Sequence, residues 1–212
     1  IIARQIDISI GAQFGVCAVV MGMAASGGLP VGVAIAIGVF CGALMGAING
    51  ALVAFLGLPS IVVTLATMVT WQEALRLWRK GRLLDLPEGV QWFGLSQGAG
   101  QVAVIAAAMV VLLAAGLILK NTSAGRFLFA TGSDAEAARL AGIRPKAVTF
   151  GAFLAMGALV GLAAALNLAQ SPQVQPNGGD GLELKAIAAV VVGGVAISGG
   201  RGSVWGVLLG MM

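Results

Sequence analysis

The stretch ISIGAQFGVCAVVMGMAASGGLPVGVAIAIGVFCGALMGAINGALVAFLGLPSIVVTLATMVTWQ, residues 8–72, runs for 65 positions without an Asp, Glu, Lys or Arg. That is more than a soluble domain can use for one buried core. A membrane-spanning helix needs about 20 mostly apolar residues, so the run has room for up to three passes. Two further charge-free runs follow, Gly89–Leu119 and Ala147–Gly179. With 59% hydrophobic residues and a mean hydropathy of +1.01, the chain belongs to the polytopic membrane class. The expected fold is all-α, an integral-membrane helix bundle with about six to seven membrane segments. The candidate spans are Ile8–Ala25, Pro30–Phe55, Pro59–Leu77, Gln101–Leu119, Ala147–Ala169 and Ala186–Ser198, with a last one beginning near Ser203, each either a simple span or a broken or re-entrant segment.

Glycine spacing supports close helix packing. Gly38, Gly42, Gly46 and Gly50 recur every four residues, so they share one helix face and admit a neighbouring backbone. Gly157 and Gly161 repeat the spacing, as do Gly202, Gly206 and Gly210.

The net charge of +4 is small and scattered, which argues against nucleic-acid binding. It is the ordinary Lys and Arg excess that orients membrane loops. The loop Lys120–Lys146 carries Lys120, Arg126, Arg139, Arg144 and Lys146 against Asp134 and Glu136, and is expected to be cytoplasmic. The region from Glu73 to about Gly100 then lies on the outer side. Its Arg76, Arg79, Lys80 and Arg82 run against the charge bias and are partly balanced by Glu73, Asp85 and Glu88.

No catalytic set is visible. There is no histidine, no paired-carboxylate arrangement and no G-x-x-x-x-G-K-[ST] phosphate loop, since none of the four lysines follows a glycine. Cys17 and Cys41 sit inside apolar runs, as small buried hydrophobes rather than a disulfide. No metal site or cofactor is expected. If ATP drives transport, another chain must hydrolyse it.

Polar side chains within the spans are costly in lipid unless they face protein or water. Asn49, Thr64, Thr67, Gln72 and Asn167, with Gln170, are the candidates for a substrate pathway. An uncharged amide and hydroxyl lining suits a neutral, hydroxyl-rich solute better than an ion. The competing reading is interhelical hydrogen bonding. In the cytoplasmic loop, Ser133 or Asp134 is placed to cap a short helix that Gly142 ends, with Glu136 in its first turn. Ala137, Ala138 and Ala141 give that helix a small-residue face. It is either a knob for a partner's groove or an ordinary connecting loop.

The stretch Ala130–Ile143, followed by Phe150–Leu166, resembles the coupling region of ABC-transporter permeases for simple sugars, with branched-chain amino-acid permeases as more distant relatives. Four other blocks match in order. They are Ile6-Asp7-Ile8-Ser9-Ile10-Gly11, Gly46-Ala47-Ile48-Asn49-Gly50, Pro59–Met68, and Gly181–Ala189 continuing through Gly193-Gly194 to Gly199–Ser203. Asp134 stands where the family usually has Asn, and Ile61 where Phe is common. Neither change removes a helix or a loop.

The resemblance implies a single transmembrane permease domain over residues 1–212, truncated at both ends, with a coupling loop at 120–146. Two permease subunits, as a homo- or heterodimer, would form the pathway in the bilayer of the bacterial inner membrane. Cytoplasmic ATPase subunits would clasp the short helix through Gly132, Glu136, Ala137, Ala138, Gly142 and Ile143. An extracytoplasmic solute-binding protein would deliver a small sugar, and Gly81–Gln97 looks most like permeases for rhamnose and furanose-like signalling sugars. The alternatives are an ion-coupled secondary sugar transporter, in which Asp7 would be the coupling carboxylate, and an ABC permease for branched-chain amino acids.

Overall fold

The computed structural model describes residues 1–87 and 89–211, so Glu88 and Met212 lie outside the described residues. Among these, the chain forms α1 (Ile10–Ser26), α2 (Val31–Ala54), α3 (Ser60–Arg79), α4 (Gln97–Asn121), α5 (Ser123–Ser133), α6 (Ala135–Leu140), α7 (Pro145–Leu168), α8 (Leu182–Val192) and α9 (Val204–Gly210). Two short strands, β1 (Leu84–Asp85) and β2 (Gln173–Val174), pair antiparallel with Leu84 opposite Val174. The all-α reading holds.

Helices α2, α4 and α7 are each long and apolar enough to cross a membrane. Helix α1 has 17 residues and α3 has 20, which at about 1.5 Å per residue approaches the thickness of the hydrocarbon core. The expected span Ala186–Ser198 is corrected. Its helix, α8, starts at Leu182 and stops at Val192, so its 11 residues rise only about 16 Å. The stop is a glycine device. Gly194 takes φ +79° and its N–H bonds the Val191 carbonyl, while the Val195 N–H reaches back to Val190.

The four-residue glycine spacing becomes a backbone-to-backbone contact between α2 and α7. A methyl group added at Gly42 would overlap the Gly157 carbonyl oxygen, and one at Gly46 would overlap that of Phe153. At Gly161 it would lie 2.8 Å from the Gly38 carbonyl oxygen. Phe40, Leu44 and Ile48 are offset from the glycines by two residues, which is about 200° around a helix. They therefore lie on the opposite side of α2 and are exposed.

Helix α1 fills the groove beside this pair. Cys17, Val19 and Met21 are wholly buried, and the Met21 side chain occupies the space beside Gly38. Both cysteines are free, Cys17 buried and Cys41 half-buried. Helix α4 is different: only Gly100 and Val104 are buried, and apolar side chains such as Val102, Ile105, Val110 and Leu117 point outward. A helix apolar on every side fits a lipid-facing position.

The bundle has two polar ends. At one, Gly132 packs against the carbonyl of Ile2, just ahead of α1. At the other, Leu84 and Val174 close over Gly22, near the far end of α1. The regions 73–100 and 120–146 thus lie at opposite ends, as expected.

Substituting Gly42 by Ala should destabilise the bundle by about 1–3 kcal/mol, because the added methyl meets backbone that must move. Gly151→Ala on α7, where a methyl would meet nothing within 4 Å, should leave stability unchanged or slightly raised. Thermal melting of the two purified variants checks the pair.

Candidate functional site

Hydrogen-bonding groups are concentrated in two places, and the first is a packing network. Asp7 accepts from the Ser9 backbone N–H (2.9 Å) and hydroxyl and from Gln13 Nε2 (3.2 Å). Ser9 Oγ in turn accepts from Gln13 Nε2 (2.8 Å) and from Asn49 Nδ2 (2.9 Å) on α2. Thr64 Oγ1 on α3 accepts from the Ile8 N–H (3.2 Å) and donates to the Ser60 carbonyl (2.9 Å). Ser9, Gln13, Asn49 and Thr64 are completely buried. Two of the five expected pathway residues, Asn49 and Thr64, thus hydrogen-bond between α1, α2 and α3, while the buried Gln13 Oε1 and Asn49 Oδ1 have no hydrogen-bond partner among the described residues. Thr67 donates to the Thr64 carbonyl (3.2 Å), and Gln72 Nε2 donates to Asp180 (3.3 Å).

The second place is a cavity of about 240 Å³. Helix α7 ends at Leu168, and the chain then passes through Pro172 and Pro176 before α8 begins. Neither proline supplies an N–H, so no helix can continue through them. This segment descends along α1: Val174 lies against Gly22, the Pro176 carbonyl against Gly15 and the Gly179 carbonyl against Gly11. From Gly22 to Gly11 is about 16 Å along the helix axis. Non-helical backbone at membrane depth is tolerated only where it is buried in protein or lines a water-filled space. The cavity lies beside this segment.

Asn167, Ser171, Gln173 and Gln175 bring amide and hydroxyl groups to its wall, opposite Phe14 and Ala18. Among the described residues no charged side chain lines it. Gln173 Nε2 is held at 2.7 Å by Asp85 Oδ1, which anchors β2 to β1. Of the expected pathway residues, Asn167 alone lines this cavity. Ser171, Gln173, Gln175 and Phe14 also line it and were not among the expected residues. The Pro-x-x-x-Pro spacing at 172 and 176, interleaved with glutamines, was the available signal. Glu183 was also missed as a site residue: its Oε2 is buried beside Gly11 without a hydrogen-bond partner, in the first turn of α8.

At the opposite end, the expected short helix is α6. Asp134 rather than Ser133 caps it, Oδ1 accepting from the N–H groups of Glu136 (2.9 Å) and Ala137 (3.0 Å). Ser133 instead closes α5, a helix that the sequence reading treated as loop. Gly142 ends α6 at φ +84°, and the Ile143 N–H reaches back to the Ala138 carbonyl (3.0 Å). The candidate coupling residues separate here. Glu136, Ala137 and Gly142 are exposed and Ile143 half-buried, with Glu136 ion-paired to Arg139. Gly132 and Ala138 are buried, so the expected smooth face of Ala137, Ala138 and Ala141 is broken by Ala138 turning inward.

Residues 1–212 match the family described as branched-chain amino acid transport system / permease component. The chain belongs to this permease family. Its curated relatives include the proteins named autoinducer 2 import system permease protein LsrC. Those of Salmonella typhimurium (strain LT2) and Escherichia coli (strain K12) are 35% and 34% identical over 210 residues, 99% of this chain. The chain spans about 60% of the length of those relatives. No solved structure matches it. With its apolar helices and this family, the chain is a multi-pass protein of the bacterial inner membrane.

The two polar regions should respond differently to substitution. Asn49→Ala removes a buried donor from Ser9 and is expected to lower stability by about 1–2 kcal/mol. Asn167→Ala, at an exposed position, should stay within about 0.5 kcal/mol of the parent. Melting curves in detergent read both.

Proposed function

We propose that this chain is the membrane-spanning part of an ABC importer permease that carries a small neutral sugar inward, driven by ATP hydrolysis in separate cytoplasmic subunits. One observation carries the reading: the cavity beside the irregular segment 171–181 offers amide and hydroxyl groups together with an aromatic ring and, among the described residues, no charge. Amides and hydroxyls can donate to and accept from sugar hydroxyls, while an aromatic ring covers the apolar face of a sugar ring. The relatives named for autoinducer 2 import support a furanose-like signalling sugar as the solute class. The family description names branched-chain amino acids instead. A zwitterion that leaves bulk water needs charged partners, and among the described residues the cavity lining supplies none.

The remaining partners follow from the same reading. Helix α6 presents Glu136, Ala137 and Gly142 to solvent between α5 and α7, a rigid capped knob suited to a groove on an ATPase subunit. A second permease subunit completes the pathway, and an extracytoplasmic binding protein meets the end carrying β1 and β2. Movement between inward-open and outward-open states is then biased by ATP on one side and by solute on the other, each through differential contacts.

Two experiments test these assignments in the full-length permease assembled with its partners. Asn167→Leu combined with Gln175→Leu should lower sugar uptake at least tenfold while the protein still assembles, and leucine uptake should be undetectable in the parent. Leucine transport at the sugar's rate would transfer the function to amino acids. Glu136→Lys or Ala137→Trp should leave ATP hydrolysis running while uptake falls at least tenfold. Unchanged uptake in both variants would remove α6 as the coupling element.

A further inference from the structure

A second cavity, of about 180 Å³, opens at the α6 end, shares no lining residue with the first, and has Ala135 of α6 on its wall. It lies where two candidate spans end together. Val53 and Ala54 are the last turn of α2, and Lys146 and Thr149 belong to the first turns of α7. Arg4, Gln5 and Thr131 complete the polar part of the wall. A site at the ends of two spans sits at the depth of the lipid headgroups.

Its chemistry points to an anion. Arg4 and Lys146 both line the cavity, and among the described residues neither is ion-paired. The carboxylates nearby in sequence are already engaged: Asp134 caps α6, Glu136 pairs with Arg139, and Asp7 holds Ser9 and Gln13. Helix α7 enters the cavity at its N-terminus with Pro145 at the first position and no side-chain cap, which leaves backbone donors and the positive end of the helix dipole unanswered. Thr131 is 95% buried by its 5% exposure, lines the cavity, and its Oγ1 has no hydrogen-bond partner. A buried hydroxyl without a partner is uncommon and calls for an explanation, which a ligand oxygen in the cavity supplies.

We propose that this cavity binds a phosphoryl group, with Arg4 and Lys146 neutralising its charge and Thr131 donating to one of its oxygens. Cations at a helix N-terminus, backed by hydroxyl donors, are a standard arrangement for phosphate. Val53 and Ala54 give the cavity an apolar wall beside the cations, so the group can arrive on a phospholipid or as free phosphate.

The test uses the purified full-length permease and measures retained lipid by native mass spectrometry. Dioleoyl phosphatidic acid and dioleoylglycerol differ only by the phosphoryl group. The parent should retain at least fivefold more of the first, and Arg4→Gln with Lys146→Gln should abolish that preference. Thr131→Val, which preserves shape, should reduce it two- to threefold without changing the melting temperature, so the proposal stays testable if the double variant folds poorly. A melting temperature raised by millimolar inorganic phosphate in the parent but not in the variants would identify free phosphate as the source. Equal retention of the two lipids by the parent, with no response to phosphate, would overturn the proposal. So would an unaltered preference in the variants.

Discussion

The near-contact of the α2 and α7 backbones is the constraint on which the rest of the bundle depends. In lipid the helices gain little from hiding apolar surface, so association rests on close packing and on hydrogen bonds between helices. Gly42, Gly46, Gly157 and Gly161 remove side chains where the two backbones meet. Once α2 and α7 are this close, the groove beside them accepts α1, whose Met21 fills the space over Gly38. The position of α1 then fixes the Asp7, Ser9, Gln13 and Asn49 network and the surface along which residues 174–179 descend.

That descending segment separates the protein from a simple stack of spanning helices. A helix through residues 171–192 would have satisfied its own backbone. Instead Pro172 and Pro176 deny it, and α8 covers only half the depth. The irregular half has to find partners on α1 and β1, and it leaves a polar cavity where it does not touch α7. The buried carboxylate oxygen of Glu183 at the start of α8 lies directly below, beside Gly11. A break in a helix next to polar side chains is the general form of a solute site in transporters.

Much of this organisation was legible in the sequence, because membrane insertion leaves a one-dimensional record. Charge-free runs gave five of the long helices within a few residues, and the glycine spacing gave the contact face of α2. The cap and stop of α6 were readable from Asp134 and Gly142, whose side-chain and backbone preferences act locally. What depended on distant partners was not readable. Asn49 and Asn167 are the same residue type inside apolar runs, yet one bonds Ser9 on α1 and the other faces a cavity. Gly132 and Glu136 sit four positions apart, but the packing of Ile2 and Gly200 over Gly132 decides that one is hidden and the other exposed. The end of α8 was missed because hydropathy continues through Gly193-Gly194 while the backbone turns.

The central claim is that residues 171–181 line a water-accessible path entered from the β1–β2 end and occupied by the solute. Single cysteines placed at Asn167, Gln173 and Gln175, in full-length permease lacking Cys17 and Cys41, can be labelled with a membrane-impermeant maleimide from outside. Rapid labelling at all three positions is expected, slowed severalfold by transported sugar, while cysteines at Val102 and Val110 on α4 stay unlabelled. Labelling at 167, 173 and 175 as slow as on α4, or indifferent to solute, would contradict the existence of that path.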